Sequence, residues 1–193
     1  MSLEQSFCPS PWFHVRINNT GHYEYCRWAD RTIKLTDTNI KDSHPIEFFQ
    51  KGMAPLRQQF LDGNQPAGCH TCGLMEQHQK VSGRQKQLLK VGVQLDQFSK
   101  TMSGSPWLGA FKYSQEHSGQ TLEMPQDWQI DLGNFCNSAC VFCEPRFSSR
   151  LASEWKKIGL IDQLPAPAWV DNHNLIQRFT ESLQQCSTVK YIH

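Results

Sequence analysis

The sequence predicts a protein of mixed α and β structure, in which an α+β region of one β-hairpin and several helices precedes the start of a parallel α/β unit. Near the N-terminus, alternating apolar and polar residues flank a turn, as in a hairpin. Beyond residue 127 the elements run strand, loop, helix, helix and strand, which is typical of a β/α/β unit. A stretch rich in Ser, Gly and Pro separates the two patterns. We therefore expect domains at residues 1–100 and 127–193, joined by a linker at residues 101–126.

The predicted hairpin occupies residues 7–28. Its first strand alternates between two sets of side chains, which are Trp12, His14 and Arg16 on one face and Phe13, Val15 and Ile17 on the other. Residues 18–21, Asn-Asn-Thr-Gly, have the composition of a tight turn. Residues 22–28 then return as the second strand.

Helical segments follow the hairpin. Residues 45–50 form a short helix, and a second helix has Pro55 in its first turn and ends near residues 62–63. Residues 73–100 show helical spacing of apolar side chains, namely Leu88, Val91 and Leu95. The charged side chains of this segment are interpreted as a solvated helix face, formed by Arg84, Lys86 and Lys90.

The linker contains one possible strand, at residues 110–114, and the second region begins with a strand at residues 129–132. A helix over residues 146–158 carries an apolar face made of Leu151, Trp155 and Ile158. A second helix at residues 175–185 leads to a strand at residues 188–192. This order predicts two parallel strands joined by a helical crossover.

Composition and charge exclude several classes of protein. The chain has 193 residues, of which 38% are hydrophobic, and this is a globular composition rather than a disordered one. A formal net charge of +1 does not favour nucleic acid or an acidic membrane surface as the partner. No apolar run approaches the roughly 20 residues that cross a bilayer, and the N-terminus has no secretory signal. We expect a cytoplasmic protein with neither a nucleic acid nor a membrane as partner.

Cysteine is the most informative residue type. The chain has eight, and seven of them fall into two candidate sites, one formed by Cys8, Cys26, Cys69 and Cys72 and one by Cys136, Cys140 and Cys143. A disulfide framework fits small secreted chains, whereas tight clusters in a chain without an export signal favour metal ligation. The remaining Cys186 is predicted to lie in the core, as buried free cysteines commonly do.

The downstream site is a loop in which Cys136, Cys140 and Cys143 lie within eight positions after a predicted strand. Thiolates are the ligands of iron–sulfur clusters, and three ligands for four irons leave one iron open for chemistry. In β/α barrels, active sites form at the C-terminal ends of the strands, which is where this loop lies. A zinc site completed by a distant fourth ligand is the alternative.

The upstream site combines two cysteines that flank the hairpin, Cys8 and Cys26, with a Cys-x2-Cys pair, Cys69 and Cys72, in the loop after a helix. Four thiolates close a coordination shell around either one zinc ion or one cubane cluster. On the residues alone both metals stay open.

The spacing Cys-x3-Cys-x2-Cys, with aromatic Phe142 before the last cysteine, resembles the radical SAM superfamily, as do the flanking segments at residues 132–137 and 143–149. The resemblance implies that Cys136, Cys140 and Cys143 each ligate one iron of a [4Fe-4S] cluster, and that S-adenosylmethionine chelates the fourth. Reductive cleavage then yields a 5′-deoxyadenosyl radical that abstracts hydrogen from a substrate. The same resemblance places Phe142 near the adenine.

The segment from Gly21 to Cys26 looks like the Gly-x4-Cys hairpin of twitch and SPASM auxiliary-cluster modules. The chain resembles a group of radical SAM enzymes that carry a twitch-like module in front of a partial TIM-like barrel. Residues 7–12, Arg57, the Cys69–Cys72 pair and Glu76 share this resemblance. It implies an auxiliary [4Fe-4S] cluster held by Cys8, Cys26, Cys69 and Cys72.

As a whole, the resemblance implies an oxidoreductase that acts on a peptide or a small molecule and takes electrons from a reductant such as flavodoxin or ferredoxin. The family's Gly-Gly-Glu-Pro segment after the second barrel strand is not present before His193, so we expect a fragment of a longer protein. A split gene and a degenerate protein are the alternatives. A non-catalytic module that binds structural zinc or a cluster is the alternative function.

Overall fold

The computed structural model describes residues 6–30, 38–94, 107–166 and 168–193. Within these ranges, one four-stranded sheet has the strand order β2-β1-β3-β4. Its strands are β1 (His14–Ile17), β2 (Tyr23–Glu24), β3 (Asp127–Ile130) and β4 (Tyr191–Ile192). Strand β1 pairs antiparallel with β2 and parallel with β3, and β3 pairs parallel with β4.

The predicted hairpin is present, with shorter strands than the sequence indicates. The turn closes through two backbone hydrogen bonds, from Asn18 N–H to His22 O (3.0 Å) and from Gly21 N–H to Asn18 O (2.9 Å). Gly21 has φ +86°, and a Cβ there would lie 3.0 Å from Ile40, so only glycine suits the position. Residues before β1 form a 3₁₀ turn, Ser10–Trp12, because proline in this segment cannot donate to a strand ladder.

Seven α-helical segments surround the sheet in the described ranges. They are α1 (Pro45–Glu47), α2 (Ala54–Leu61), α3 (His70–Gln77), α4 (Gly83–Lys90), α5 (Leu108–Glu116), α6 (Ser149–Lys157) and α7 (His173–Gln185). A π-helical turn, Phe48–Gly52, continues α1, and α2 has Pro55 in its first turn and Asp62 as its C-cap, as predicted. The last predicted helix is observed two residues longer at its N-terminus, where Asn172 caps it.

Two predictions for residues 73–114 are wrong. The segment predicted as one helix contains two, α3 and α4, because Ser82 and Gln85 form a capping box that starts α4. Leu95, which belongs to the predicted apolar spacing, lies outside the described residues. The possible strand at residues 110–114 is part of α5. Its buried side chains, Ala110, Phe111 and Ser114, recur at helical spacing and face the core, so packing rather than strand propensity decides this segment.

The parallel crossover predicted for the second region is observed, with β3 starting at Asp127 and β4 reduced to Tyr191–Ile192. The sheet also joins the two predicted regions, because β1 of the first pairs along its whole length with β3 of the second. One hydrophobic core spans both and includes Cys186, as predicted. The C-terminal ends of β1 and β3 therefore lie side by side.

Arg57 on α2 is fully buried and ties three segments together. Its guanidinium donates to the carbonyl oxygens of Pro11 (2.8 Å), Gln50 (3.2 Å) and Gly119 (3.2 Å), and also to that of Phe49. Burial lowers the pKa of Arg57 to about 9, so the side chain stays cationic near neutral pH. Since all its acceptors are backbone carbonyls, this one side chain holds the Ser10–Trp12 turn, the π-helical turn and the segment after α5 in register.

Candidate functional site

Four thiols from separate segments line one cavity in the first region. Cys8 precedes the 3₁₀ turn that leads into β1, and Cys26 follows β2. Cys69 ends the 3₁₀ segment Ala67–Cys69, and Cys72 lies in the first turn of α3 rather than in the loop that the sequence predicts. The structure thus brings together all four side chains of the predicted upstream site.

The surroundings of this cavity oppose the formation of free thiolates. Burial raises the pKa of Cys8 to about 11 and that of Cys69 to about 12, and it raises the pKa of Cys26 as well. Negative charge on neighbouring sulfurs adds to this effect, whereas the Arg84 guanidinium partly offsets it at Cys8 and Cys69. A bound cationic centre compensates the same cost, because metals ligate the thiolate form. The donor set of four soft sulfurs fits zinc or an iron–sulfur cluster.

Two further groups contact the sulfurs directly. The Tyr25 hydroxyl lies 3.6 Å from Cys69 Sγ, and the backbone N–H of Trp28 donates to Cys26 Sγ at 3.3 Å. The Trp28 indole also lines the cavity, where it packs against Gly83 at the start of α4. A Cβ at Gly83 would lie 2.5 Å from the indole, so a glycine is needed for Trp28 to occupy this position. The sequence places Tyr25 and Trp28 beside Cys26 but carries no other signal of their roles.

The solvated face predicted for α4 is confirmed at Lys86, which is exposed, and is wrong at Arg84. The Arg84 side chain is buried, and it pairs with Glu76 on α3 through Nη2 and through Nε, which lies 3.0 Å from Glu76 Oε1. The Ser82 hydroxyl donates to the same carboxylate at 2.5 Å, and Arg84 Nη1 donates to Phe7 O at 3.3 Å. This network fixes the segment before Cys8 against α3 and α4. Lys90, on the same helix, also has a partner, the buried Asp127 at 2.5 Å.

The downstream cysteines lie together on one exposed loop. The loop follows the C-terminal end of β3, and Cys136 and Cys140 are exposed, whereas Cys143 is half-buried. A backbone hydrogen bond from Cys143 N–H to Cys140 O (3.0 Å) closes a turn between the last two. Phe142, inside that turn, is 94% exposed. Of the side chains predicted to bind a cluster and an adenine, Cys136, Cys140 and Phe142 therefore face solvent, and Cys143 does so only in part.

The N-terminus of α6 anchors this loop. The hydroxyl of Ser148 accepts from Leu151 N–H (3.2 Å), so Ser148 is the N-cap of α6. The same hydroxyl lies 3.0 Å from Cys136 O, and Ser149 N–H donates to Asn134 O at 2.8 Å. Backbone carbonyl groups of the loop therefore attach it to the start of α6, and the cysteine sulfurs take no part in these hydrogen bonds.

In neither site do the sulfurs converge on one point. Within the described ranges, no group of three or more His, Cys, Asp or Glu side chains is arranged to hold a single metal ion. All eight cysteines carry free thiols. The upstream sulfurs instead form parts of the wall of a shared cavity, and the downstream ones are spread along a loop.

Comparison with known proteins identified no matching family model, no similar curated protein and no similar solved structure. In the part of the chain that the structure describes, no helix combines the length and apolarity needed to cross a membrane.

Proposed function

We propose that the chain belongs to a radical SAM enzyme with an auxiliary cluster. In this proposal residues 1–100 form a twitch-like module, and the β/α unit beyond it is the start of a partial TIM-like barrel. With its cluster bound, the downstream site supplies the electron that cleaves S-adenosylmethionine to a 5′-deoxyadenosyl radical for hydrogen abstraction from a substrate. The observation that carries the proposal is the position of Cys136, Cys140 and Cys143 together on one loop at the C-terminal end of a parallel strand.

The loop has the properties that an open cluster site requires. Its three sulfurs would hold three irons of a four-iron cluster and would leave the fourth without a protein ligand, open to S-adenosylmethionine. Attachment through backbone atoms and the Ser148 cap holds the loop while its thiols stay accessible. Exposed Phe142 offers an aromatic ring against which an adenine can stack.

For the upstream site we propose an auxiliary [4Fe-4S] cluster held by Cys8, Cys26, Cys69 and Cys72. Each thiolate of a cubane binds a different iron, so sulfurs spread over a cavity wall suit a cluster better than they suit one ion. Hydrogen bonds from Tyr25 and Trp28 stabilise negative charge on the sulfurs. Electrons would come from an external carrier such as flavodoxin or ferredoxin.

A non-catalytic structural site is the second candidate, because four thiolates also satisfy the tetrahedral preference of zinc. It requires the four upstream sulfurs to close to about 2.3 Å from one ion. The two candidates therefore differ in the metal that the purified protein holds.

Anaerobic reconstitution with iron and sulfide tests the proposal. We expect about eight irons and eight sulfides per chain, from two four-iron clusters. Replacing Cys136, Cys140 and Cys143 together by Ala should remove half of the iron, abolish formation of 5′-deoxyadenosine, and abolish the change that S-adenosylmethionine causes in the EPR spectrum of the reduced protein. Replacing the four upstream cysteines should remove the other half of the iron and retain that spectral change.

Cys186→Ala is the matched control, because Cys186 is a buried core cysteine that does not line the upstream cavity and does not belong to the downstream loop. It should leave the iron content unchanged. A purified protein that holds zinc and excludes iron at both sites contradicts the proposal and supports the structural candidate.

A further inference from the structure

A second cavity, of about 440 Å³, opens between the two cysteine sites. Trp28 forms part of its wall and also part of the wall of the upstream cysteine cavity. On the opposite side, Gly133 and Phe147 belong to the segment that carries the downstream cysteines. The volume lies in the range of small-molecule sites, and the position at the C-terminal ends of parallel strands is where such sites form.

The floor of this cavity is a row of polar side chains across three strands. Arg16 on β1 is directly paired with Glu24 on β2 and with Gln129 on β3. Arg16 is only 3% exposed, so its positive charge needs partners within the protein. These are Glu24 Oε2 at 2.7 Å and Asp131 Oδ2 at 2.5 Å. The second oxygen of Asp131 accepts no hydrogen bond from a described residue, and Asp131 lines the cavity. Arg16 therefore holds a carboxylate in place with one oxygen left for a ligand.

Arg27 supplies the opposite charge on the wall. Its guanidinium lies 5.4 Å from the centre of the Trp28 ring, and among the described residues no carboxylate pairs with it. The neutral amide of Gln129 likewise has no hydrogen-bond partner among the described residues. The cavity thus offers one cation, one neutral amide and one carboxylate oxygen for which the described residues supply no hydrogen-bond or ion-pair partner.

We propose that this cavity binds a small zwitterion of the amino-acid type, with its carboxylate at Arg27 and its ammonium at Asp131. A simple anion meets repulsion from Asp131, and a simple cation meets repulsion from Arg27, so a ligand carrying both charges is favoured. The amide of Gln129 can donate to or accept from either end. That this ligand is the substrate rests on the proposed function, whereas its binding does not.

Calorimetric titration of the full chain, without metal, tests the inference with each of the twenty protein L-amino acids as the probe. At least one should bind saturably, and the amine and the acid derived from it by removing one charged group should bind about tenfold more weakly or worse. Arg27→Gln should weaken binding of the zwitterion about tenfold and should not weaken binding of the amine, which gains from the loss of a repelling charge. Asp131→Asn should weaken binding of the zwitterion and, for the same reason, should not weaken binding of the acid.

Lys112→Gln is the control for loss of a positive charge, because Lys112 is exposed on α5 and does not line the cavity. Should Asp131→Asn unfold the protein by releasing Arg16, exposed Arg27 still provides the decisive variant.

The inference is overturned if no amino acid binds, if the acid or the amine binds as tightly as the zwitterion, or if Arg27→Gln and Lys112→Gln behave alike. Displacement of the amino acid by S-adenosylmethionine would also overturn it, by assigning the cavity to that molecule. These titrations need no iron, so their result can be interpreted even if the cluster proposal is wrong.

Discussion

The two cysteine sites are built in different ways. The upstream site collects four thiols from three segments around one cavity, and burial raises the pKa of three of them. The downstream site holds three thiols on a single loop, where Cys136 and Cys140 are exposed. A site with a full set of ligands needs no access from solvent, whereas a site that must receive a second molecule does. The difference in exposure therefore matches the number of cysteines that the proposed function assigns to each cluster.

The supports of the two sites differ as well. Side-chain contacts hold the segments around the upstream cavity, among them the hydrogen bond from Arg57 to Pro11 O, next to the cavity-lining Ser10, and the ion pair of Arg84 with Glu76. The downstream loop depends on backbone hydrogen bonds and on the Ser148 cap. We expect the upstream cavity to keep its shape without metal, and the loop to gain order when it binds one.

The largest expected effect is in thiol reactivity. In the metal-free protein, exposed Cys136 and Cys140 should be alkylated at least about 100-fold faster than Cys8 near neutral pH, because a pKa of about 11 lowers the thiolate fraction by about that factor. Time-resolved mass spectrometry of iodoacetamide-treated protein gives the rate at each cysteine. Buried Cys186, whose pKa burial also raises to about 11, is the internal control for slow labelling. Equal alkylation rates at all eight cysteines would contradict the difference in thiol exposure between the two sites.

Replacement of Arg57 by Met should destabilise the segments that surround the upstream cavity. It leaves four buried carbonyls without their donor and should lower the free energy of unfolding by about 3 kcal/mol or more, as measured by urea denaturation. Labelling of the upstream thiols should accelerate while that of the loop stays the same. Lys51→Met, an exposed cation in the adjoining turn, should change stability by less than about 0.5 kcal/mol. If both sets of thiols accelerate equally, Arg57 supports the whole fold rather than this site.

Gly83→Ala should disturb the wall that Trp28 forms. The added Cβ would lie 2.5 Å from the indole, so we expect a cost of about 1–3 kcal/mol and a shift in tryptophan fluorescence. The control is Gly109→Ala on α5, where no atom lies within 4 Å of the new Cβ, and which should stabilise the protein by up to about 1 kcal/mol. A neutral or stabilising effect at Gly83 would show that Trp28 does not occupy the cavity wall.

The smallest expected effect is on the reduction potential of the reconstituted upstream cluster. A hydroxyl that donates to a ligating sulfur stabilises the reduced cluster, so Tyr25→Phe should lower the potential by on the order of 30 mV in an EPR-monitored titration. Tyr23→Phe removes a buried hydroxyl that donates to Ser43 O at 2.8 Å and contacts no sulfur. It should leave the potential unchanged, and a shift in both variants or in neither would contradict the role of Tyr25.

Local features of the fold could be predicted from the sequence because neighbouring residues determine them. The turn before His22 depends on Gly21, and the start of α2 depends on Pro55. The prediction at residues 110–114 was wrong because strand propensity there is overridden by packing against the core. The solvated face predicted for α4 was confirmed for exposed Lys86 and wrong for Arg84, which is buried and pairs with Glu76, whereas Lys90 pairs with Asp127, distant in sequence.

The sequence by itself determined the downstream site, since three cysteines within eight positions must share one loop whatever the rest of the chain does. It also named the four upstream cysteines, but only the tertiary structure brought them to one cavity, because their segments are separated by as many as 64 positions between Cys8 and Cys72. The pairing of β1 with β3 was likewise decided in three dimensions. That pairing places Arg16 and Asp131 side by side and so creates the cavity between the two sites. Contacts of this kind depend on hydrogen bonds and burial between distant segments, which local spacing does not encode.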